Sequence, residues 1–354
     1  MRRISLDQIQ PGMKLARAIY GAEGQLLLNT GVEIKPHYVK YLYYLGIKYI
    51  YVEDSRLQDV EVKDIIAERT RQEVRILLKE IMRKNGIGQR PGKPIHLGDI
   101  RLVATITKIV DELLENKDVV VNLADIRSID EYIFYHSVNT CLLSLLTAIK
   151  LGYSEAKLRQ IAPGFLLHDL GNISIPDSIL KKAGQLTTEE MEIVRKHPIY
   201  GYELFKKSPL FSASAGQIIY QHHERWQGQG YPWGLKGDSI HQPAQILAIA
   251  DTYDALTSER PYRSAYLPHQ ALEILTALGE EYFNLQILRT FLSFIAAYPV
   301  GTQVLLSNGD SGLVIGNTPN FPTRPKVRVL YQGENFAPHP APYEVDLTDT
   351  LDLV

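Results

Sequence analysis

Apolar positions along the chain change rhythm several times, and each change predicts a different kind of element. From Met1 to about Asp54, short runs of Ile, Leu, Val and Tyr are cut by Pro11-Gly12, Gly21, Gly24 and Gly31. This punctuation predicts small strands with one helix near residues 36 to 45. From Val62 to Lys84, Ile66, Val74, Leu77 and Ile81 recur on one helical face among charged neighbours. That stretch predicts a connector helix and a candidate seam for a homodimer. "NGIGQRPGKP" breaks the pattern before a second amphipathic stretch, Asp99 to Glu115. Residues 118 to 297 then read as helix after helix separated by polar turns. From Val300 the runs "VLL" and "KVRVLY", with Gly309, Gly312, Gly316 and many prolines, predict a small β module. The expected architecture is mainly α: a β-rich module over 1–60, a helical connector over 61–117, an all-helical domain over 118–297 and a second β-rich module over 298–354.

Composition narrows the function classes. The 354 residues are 45% hydrophobic and 22% charged, ordinary globular values, and 38 basic against 40 acidic residues leave no general attraction for polyanions. A DNA or RNA polymer is therefore not an expected partner. The single cysteine, Cys141, lies in "CLLSLLTAIKLG", which excludes an intrachain disulfide and a thiolate cluster for zinc. "MRRISLDQIQPGM" has no apolar signal core and no run reaches the roughly 18 residues of a membrane span. We expect a cytoplasmic protein without a membrane anchor. The tyrosines at 38, 41, 43, 44, 49 and 51 read as packing aromatics.

Candidate chemistry concentrates in the helical region. "EYIFYHSVN" carries His136, "LLHDLGN" carries His168 and Asp169, "RKHPIYG" carries His197, "QHHERW" carries His222 and His223, and "ILAIADTYDAL" carries Asp251. A single histidine of this kind is weak evidence, but the carboxylates change the weighting. Asp169 follows the apolar "GFLLH", and Asp251 sits in a helix apolar nearly all round. An ionised carboxylate is excluded from such places unless paired or bound to a cation. Neutral imidazoles cannot supply the counter-charge, whereas divalent metal ions can. Thr187-x-x-Glu190 is a capping box whose helix would end at His197, because Pro198 follows. Ile218 and Ile219 precede His222 and His223 by four residues each, so both imidazoles should leave the buried side of one helix. Seven donors exceed the needs of one four-coordinate ion, so two ions sharing Asp169 is the economical reading. Imidazole and carboxylate without sulfur favour iron or manganese, with zinc or nickel as alternatives. A pair of such ions suits hydrolysis of a phosphate ester.

The segments "HDLGNISIPDSILKKAGQLTTEEMEIVRKHPIYG", "HHERWQGQGYPWGLKGDSI" and "QILAIADTYDALTSERPYRSAYLPHQAL" strongly resemble the HD-GYP domain, a branch of the HD phosphohydrolases that degrades bacterial cyclic di-GMP. The resemblance covers about residues 130 to 275. It implies an all-helical domain with a bimetal centre built from His136, His168, Asp169, His197, His222, His223 and Asp251, with His168 and Asp169 as the catalytic pair. It also implies that Asp169 bridges the ions, that His197, His222 and His223 hold one, and that His136, His168 and Asp251 hold the other. Lys182, Arg260 and Arg263 are the implied contacts to substrate phosphates, a role suited to forked guanidinium donors. The implied reaction converts cyclic di-GMP to pGpG and onward to GMP. A cyclic di-GMP sensor of weak turnover, and a hydrolase of another cyclic dinucleotide, are the alternatives.

Three positions depart from the pattern. Asn172 and Gln227 stand where the family usually has lysine and aspartate. Tyr132 stands where three-metal members have glutamate, with Glu131 one position away and so about 100° off on a helix. We therefore expect two ions rather than three, and weakened phosphate binding. Glu224 and Trp226 read as structural, and the Gly228 to Pro232 turn as the end of the helix that carries His222 and His223 and as a wall or lid of the site or a surface for a protein partner.

Overall fold

The computed structural model describes residues 1–354 except 22–24, 61, 63, 85–99, 122–131, 181, 183, 259–263, 334–336 and 351–353. At the N-terminus, β1 (Arg2–Ser5) pairs antiparallel with β4 (Tyr49–Val52), and β2 (Ile19–Tyr20) with β3 (Leu26–Leu28). One helix, α1 (Pro36–Tyr44), lies between them, opened by a proline in its first turn. Ile4, Leu15, Ile19, Leu42 and Ile50 form the small core of this module.

Helices fill the middle of the chain: α2 (Glu68–Lys84), α3 (Ile100–Glu115), α4 (Tyr132–Lys150), α5 (Glu155–Leu166), α6 (Asp177–Leu180), α7 (Thr188–Val194), α8 (His197–Phe205), α9 (Ala213–Gln221), α10 (Gln242–Thr257), α11 (Pro268–Tyr282) and α12 (Leu285–Leu292). Two long helices, α4 and α10, pack against each other at the centre. In α10 every residue from Pro243 to Ala250 is buried, which only a helix surrounded on all sides can do. Around this pair one continuous core runs from Ile65 to Ala297. It includes the apolar face of α2 (Val74, Leu77, Leu78, Ile81), so the face read as a seam between copies is covered by the same chain. Side-chain caps start α5 (Ser154), α7 (Thr187, as the expected capping box) and α9 (Ser212).

Two helix boundaries differ from the expected ones. Pro198 does not terminate the helix that starts at Thr188. That helix stops at Val194 and a new one, α8, begins at His197 with the proline in its first turn, where a missing N–H costs nothing. Likewise α9 ends at Gln221, with His222 as its C-cap, well before the Gly228 to Pro232 turn. The C-terminal sheet is an antiparallel meander of β5 (Gln303–Leu305), β6 (Asp310–Thr318), β7 (Phe321–Gln332) and β8 (Ala337–Asp346) in that order.

The turn after α5 passes against α8 so closely that only glycine fits. A Cβ on Gly171 would overlap the His197 carbonyl oxygen and lie 2.5 Å from the Gly201 nitrogen. Because this contact sets the distance between Asp169 and His197, Gly171→Ala is expected to cost about 3 kcal/mol, as overpacking against backbone does. The matching fall in thermal midpoint is roughly 6–12 °C for a domain of this size. Gly184→Ala, with nothing within 4 Å of its Cβ, is the control and should stay within about 0.5 kcal/mol. A Gly171→Ala chain that melts with wild type would refute this packing.

Candidate metal centre

Five separate segments bring their polar ends to one place. His136 comes from the first turns of α4, His168 and Asp169 from the turn after α5, His197 from the start of α8, His222 and His223 from the end of α9, and Asp251 from α10. His136, His168, His197 and His222 are buried, and Asp169, His223 and Asp251 are partly so. Thus all seven expected donors meet, although the helices deliver three of them differently from the sequence reading.

The donors fall into two groups, each with ligand atoms within 4.8 Å of one another: Asp169, His197, His222 and His223 in one, His136, His168 and Asp251 in the other. Asp169 faces both. Its Oδ1 lies 3.4 Å from His197 Nε2 and 4.0 Å from His222 Nε2, while its Oδ2 lies 3.7 Å from the Nε2 atoms of both His136 and His168. On the far side, Asp251 Oδ1 is 3.2 Å from His136 Nε2, and its Oδ2 is 3.8 Å from His223 Nδ1.

Hydrogen bonds outside the cluster fix the protons. Nδ1 of His168, His197 and His222 donates to the carbonyls of Phe165, Val194 and Ile219, at 2.8–2.9 Å. Each acceptor lies three residues back, in the last turn of a helix, where carbonyls have no partner within the helix. His136 sits inside α4, where the carbonyls are used, and its Nδ1 instead donates to the Asp254 carboxylate at 2.9 Å. A carbonyl can only accept, so these imidazoles carry their proton on Nδ1 and present the Nε2 lone pair inward. Yet the Nε2 atoms of His136 and His168 are 3.2 Å apart, as are those of His197 and His222. Lone pairs directed at each other at that distance repel, and a cation between them converts repulsion into ligation. The donor set therefore fits two divalent metal ions with Asp169 shared.

The surroundings call for positive charge at the centre while disfavouring it on the imidazoles themselves. Burial alone would raise the Asp169 carboxyl, but positive charge around His168, His197, His136 and His222, of the kind a bound cation would supply, outweighs it and holds the group down to about 2. Asp251 behaves alike: burial would raise it, but positive charge around His136, His223 and His168 together outweighs burial and holds it well below the usual range. Burial pushes His222 down to about 3, aided by His168 and His197, and lowers His168 and His223 as well.

The Gly-Tyr-Pro turn closes one side. Tyr231 stacks on the His223 ring at 4.6 Å between centroids, and the Arg195 guanidinium lies 5.6 Å from the tyrosine ring centre. Glu224 is buried and accepts from the backbone N–H groups of Trp233 (2.8 Å) and Leu235 (2.9 Å), which ties the turn to the end of α9. Among the expected phosphate contacts, Lys182 is paired with Glu190 at 2.5 Å, and Arg260 and Arg263 lie outside the described residues, as does Glu131. Gln227 is exposed, with its backbone N–H on the Glu281 carbonyl. The sequence reading did not single out Asp254. Its signal was legible as a second carboxylate three residues after Asp251, on the same face of an apolar helix.

With the geometry in hand, comparison with known proteins is direct. Residues 117–287 match the HD domain family, and residues 303–354 match the KOW domain associated with HD domain. The cyclic di-GMP phosphodiesterase PA4108 of Pseudomonas aeruginosa is 33% identical over 241 residues, 67% of this chain and 58% of that protein. The cyclic di-GMP phosphodiesterase response regulator RpfG of Xanthomonas campestris is 47% identical over 140 residues, 39% of this chain and 37% of that protein. The 3'3'-cGAMP-specific phosphodiesterase 2 of Vibrio cholerae is 34% identical over 189 residues, 53% of this chain and 36% of that protein. The chain thus spans less than two thirds of each of these relatives. Among solved structures, Bd1817, an HDG"Y"P protein from Bdellovibrio bacteriovorus, shares the fold with a TM-score of 0.53 at 20% identity, covering 82% of this chain and 97% of its own. Residues 117–287 are thus an HD domain, followed over residues 303–354 by a KOW domain of the kind associated with it.

Proposed function

We propose that the chain is a metal-dependent phosphodiesterase that hydrolyses cyclic di-GMP to linear pGpG, and onward to GMP. The observation that carries this reading is the convergence of Nε2 lone pairs around a carboxylate whose two oxygens face two donor groups. Two ions held there, iron or manganese by the hardness of the donors, would polarise a phosphoryl oxygen and supply a nucleophile at neutral pH. The protein's own share is geometric. Asp169 fixes the spacing of the two groups, the Nδ1 donors hold four imidazole rings in orientation, and Tyr231 packs over His223 to limit water on that side. The relatives named cyclic di-GMP phosphodiesterases support this substrate, and the one named for 3'3'-cGAMP leaves base preference as the open variable.

A second reading, a cyclic di-GMP sensor of weak turnover, draws on specific positions. Asn172 offers no charge where the family pattern has lysine, and Lys182 is engaged by Glu190. Both reduce the positive charge available to a bound diester. No described helix is long and apolar enough to cross a membrane, and we place the protein in the cytoplasm. Trp233, 60% exposed on the Gly-Tyr-Pro turn, suits a protein partner at that surface.

Asp169→Asn is expected to lose both metal and activity, since it removes charge from the shared ligand. Metal per chain should fall from two to below one, and hydrolysis of cyclic di-GMP by about 10³-fold or more, a loss of about 4 kcal/mol in the barrier. Elemental analysis and chromatography of the products measure both, and wild-type turnover in this variant would sink the assignment. Asn172→Lys restores a cation near the phosphates and should raise kcat/KM about tenfold, the worth of one charge-assisted contact of about 1.4 kcal/mol. If a two-metal preparation binds cyclic di-GMP tightly but makes no product, the sensor reading replaces the hydrolase.

A further inference from the structure

One buried polar chain leads away from the metal centre into a helix outside the HD domain match. Asp254, 0% exposed, accepts at Oδ2 from His136 Nδ1 (2.9 Å) and from Ser258 Oγ (3.3 Å), and at Oδ1 from the Asn139 amide (3.2 Å). The Asn139 carbonyl oxygen in turn accepts from an Arg71 guanidinium N–H at 3.0 Å. Arg71 is 3% exposed and Asn139 1%. Residue chemistry sets the direction of every bond. A guanidinium only donates and a carboxylate only accepts, so the Asn139 amide has one possible orientation, oxygen toward Arg71 and nitrogen toward Asp254. The proton between His136 and Asp254 must then sit on Nδ1.

We infer that Arg71, Asn139 and Asp254 act as positioning residues for His136, so that α2 governs occupancy of the ion site formed by His136, His168 and Asp251. The inference rests on the proposal that these three side chains share an ion. Its force comes from the contrast among the histidines. His168, His197 and His222 take their orientation from carbonyls three residues back, supplied by the helix end that immediately precedes each. His136 takes its orientation from a side chain 118 positions away, which is itself held by a residue of α2. Losing Arg71 frees the Asn139 amide to turn, so Asp254 loses a fixed donor at Oδ1 and holds the His136 imidazole less firmly. Residue 71 lies well before position 117, where the HD domain match begins, so this control belongs to the chain's own N-terminal half.

The test is manganese(II) binding to the full chain after chelator stripping, by titration calorimetry and elemental analysis, for wild type, Arg71→Met, Asp254→Asn and the double variant. Wild type should take up two ions. Each single variant should weaken one ion by about 10–100-fold, the usual size of outer hydrogen-bond effects on metal ligands, and leave the other within threefold. The double variant should be no worse than the worse single one, because both act through one chain. A merely structural role would instead weaken both ions together and add. If Arg71→Met does not fold, Asn139→Ala replaces it in the same cycle. Unchanged affinities in the variants, equal loss at both sites or additive losses would overturn this inference while leaving the two-metal reading in place. A wild-type chain that binds no metal would overturn both.

Discussion

The structure turns on the repulsion that has to be overcome at its centre. Five imidazoles and two carboxylates are drawn out of water into one cluster, with Nε2 lone pairs 3.2 Å apart in two places. Such a cluster is costly in the polypeptide alone, since buried carboxylates need counter-charge and neutral imidazoles provide none. The fold therefore has to hold it against its own tendency to open. The apolar α4 and α10 form the central support, and the continuous core around them contributes the burial that offsets the strain of the polar interior.

Close backbone approach makes the geometry possible. Gly164 lets α5 lie against α9, where a Cβ would sit 2.5 Å from the Ala215 carbonyl oxygen, and Gly201 lies under Ile219 on the same principle. With Gly171 they bring the ends of α5 and α9 and the junction of α7 and α8 near enough for the terminal carbonyls of α5, α7 and α9 and the histidines that follow to face one point. Glu224 extends this logic outward. A buried carboxylate that accepts two backbone N–H groups secures the Gly-Tyr-Pro turn against the site, so the turn's order derives from the same helix end that delivers His222.

Much of this was legible in the sequence because burying a carboxylate leaves a mark. Asp251 inside "AQILAIADTYDAL" and Asp169 after "GFLLH" contradict their apolar surroundings unless something positive is near, and that contradiction led to the cluster. Helix boundaries were less readable. Pro198 reads as a stop signal, yet proline suits the first turn of a helix as well as the residue after its end, and local chemistry does not choose between them. The extent of α9 was overestimated because "HHERW" has no residue that forbids helix; the break comes from the tertiary pull on His222 and Glu224. The role of α2 was out of reach for a related reason. Its apolar stripe fits a seam between copies as well as a seat on α4, and only the three-dimensional packing distinguishes them.

Where a histidine sits on its helix decides how far its support must reach. At a helix C-terminus, the unpaired carbonyls of the last turn offer acceptors at no further cost, and three of the four inward-facing Nε2 histidines with a fixed Nδ1 use them. In the body of a helix the carbonyls are already bonded, so His136 needs an acceptor from elsewhere, and a buried carboxylate such as Asp254 then needs compensation of its own. Each step outward satisfies one group by burying the next, and the sequence of demands reaches a guanidinium on α2, whose Nε lies 3.8 Å from the Glu68 carboxylate. That helix is also tied to the N-terminal module, through Arg75 to the Gly21 carbonyl at 3.4 Å, and the segment before it through Arg17 to Asp64 at 2.7 Å. A displacement of that module would therefore reach His136 before any other donor, because His136 alone among those four histidines depends on a partner distant in the chain. The asymmetry in how the two donor groups are supported thus follows from where each histidine sits relative to a helix end.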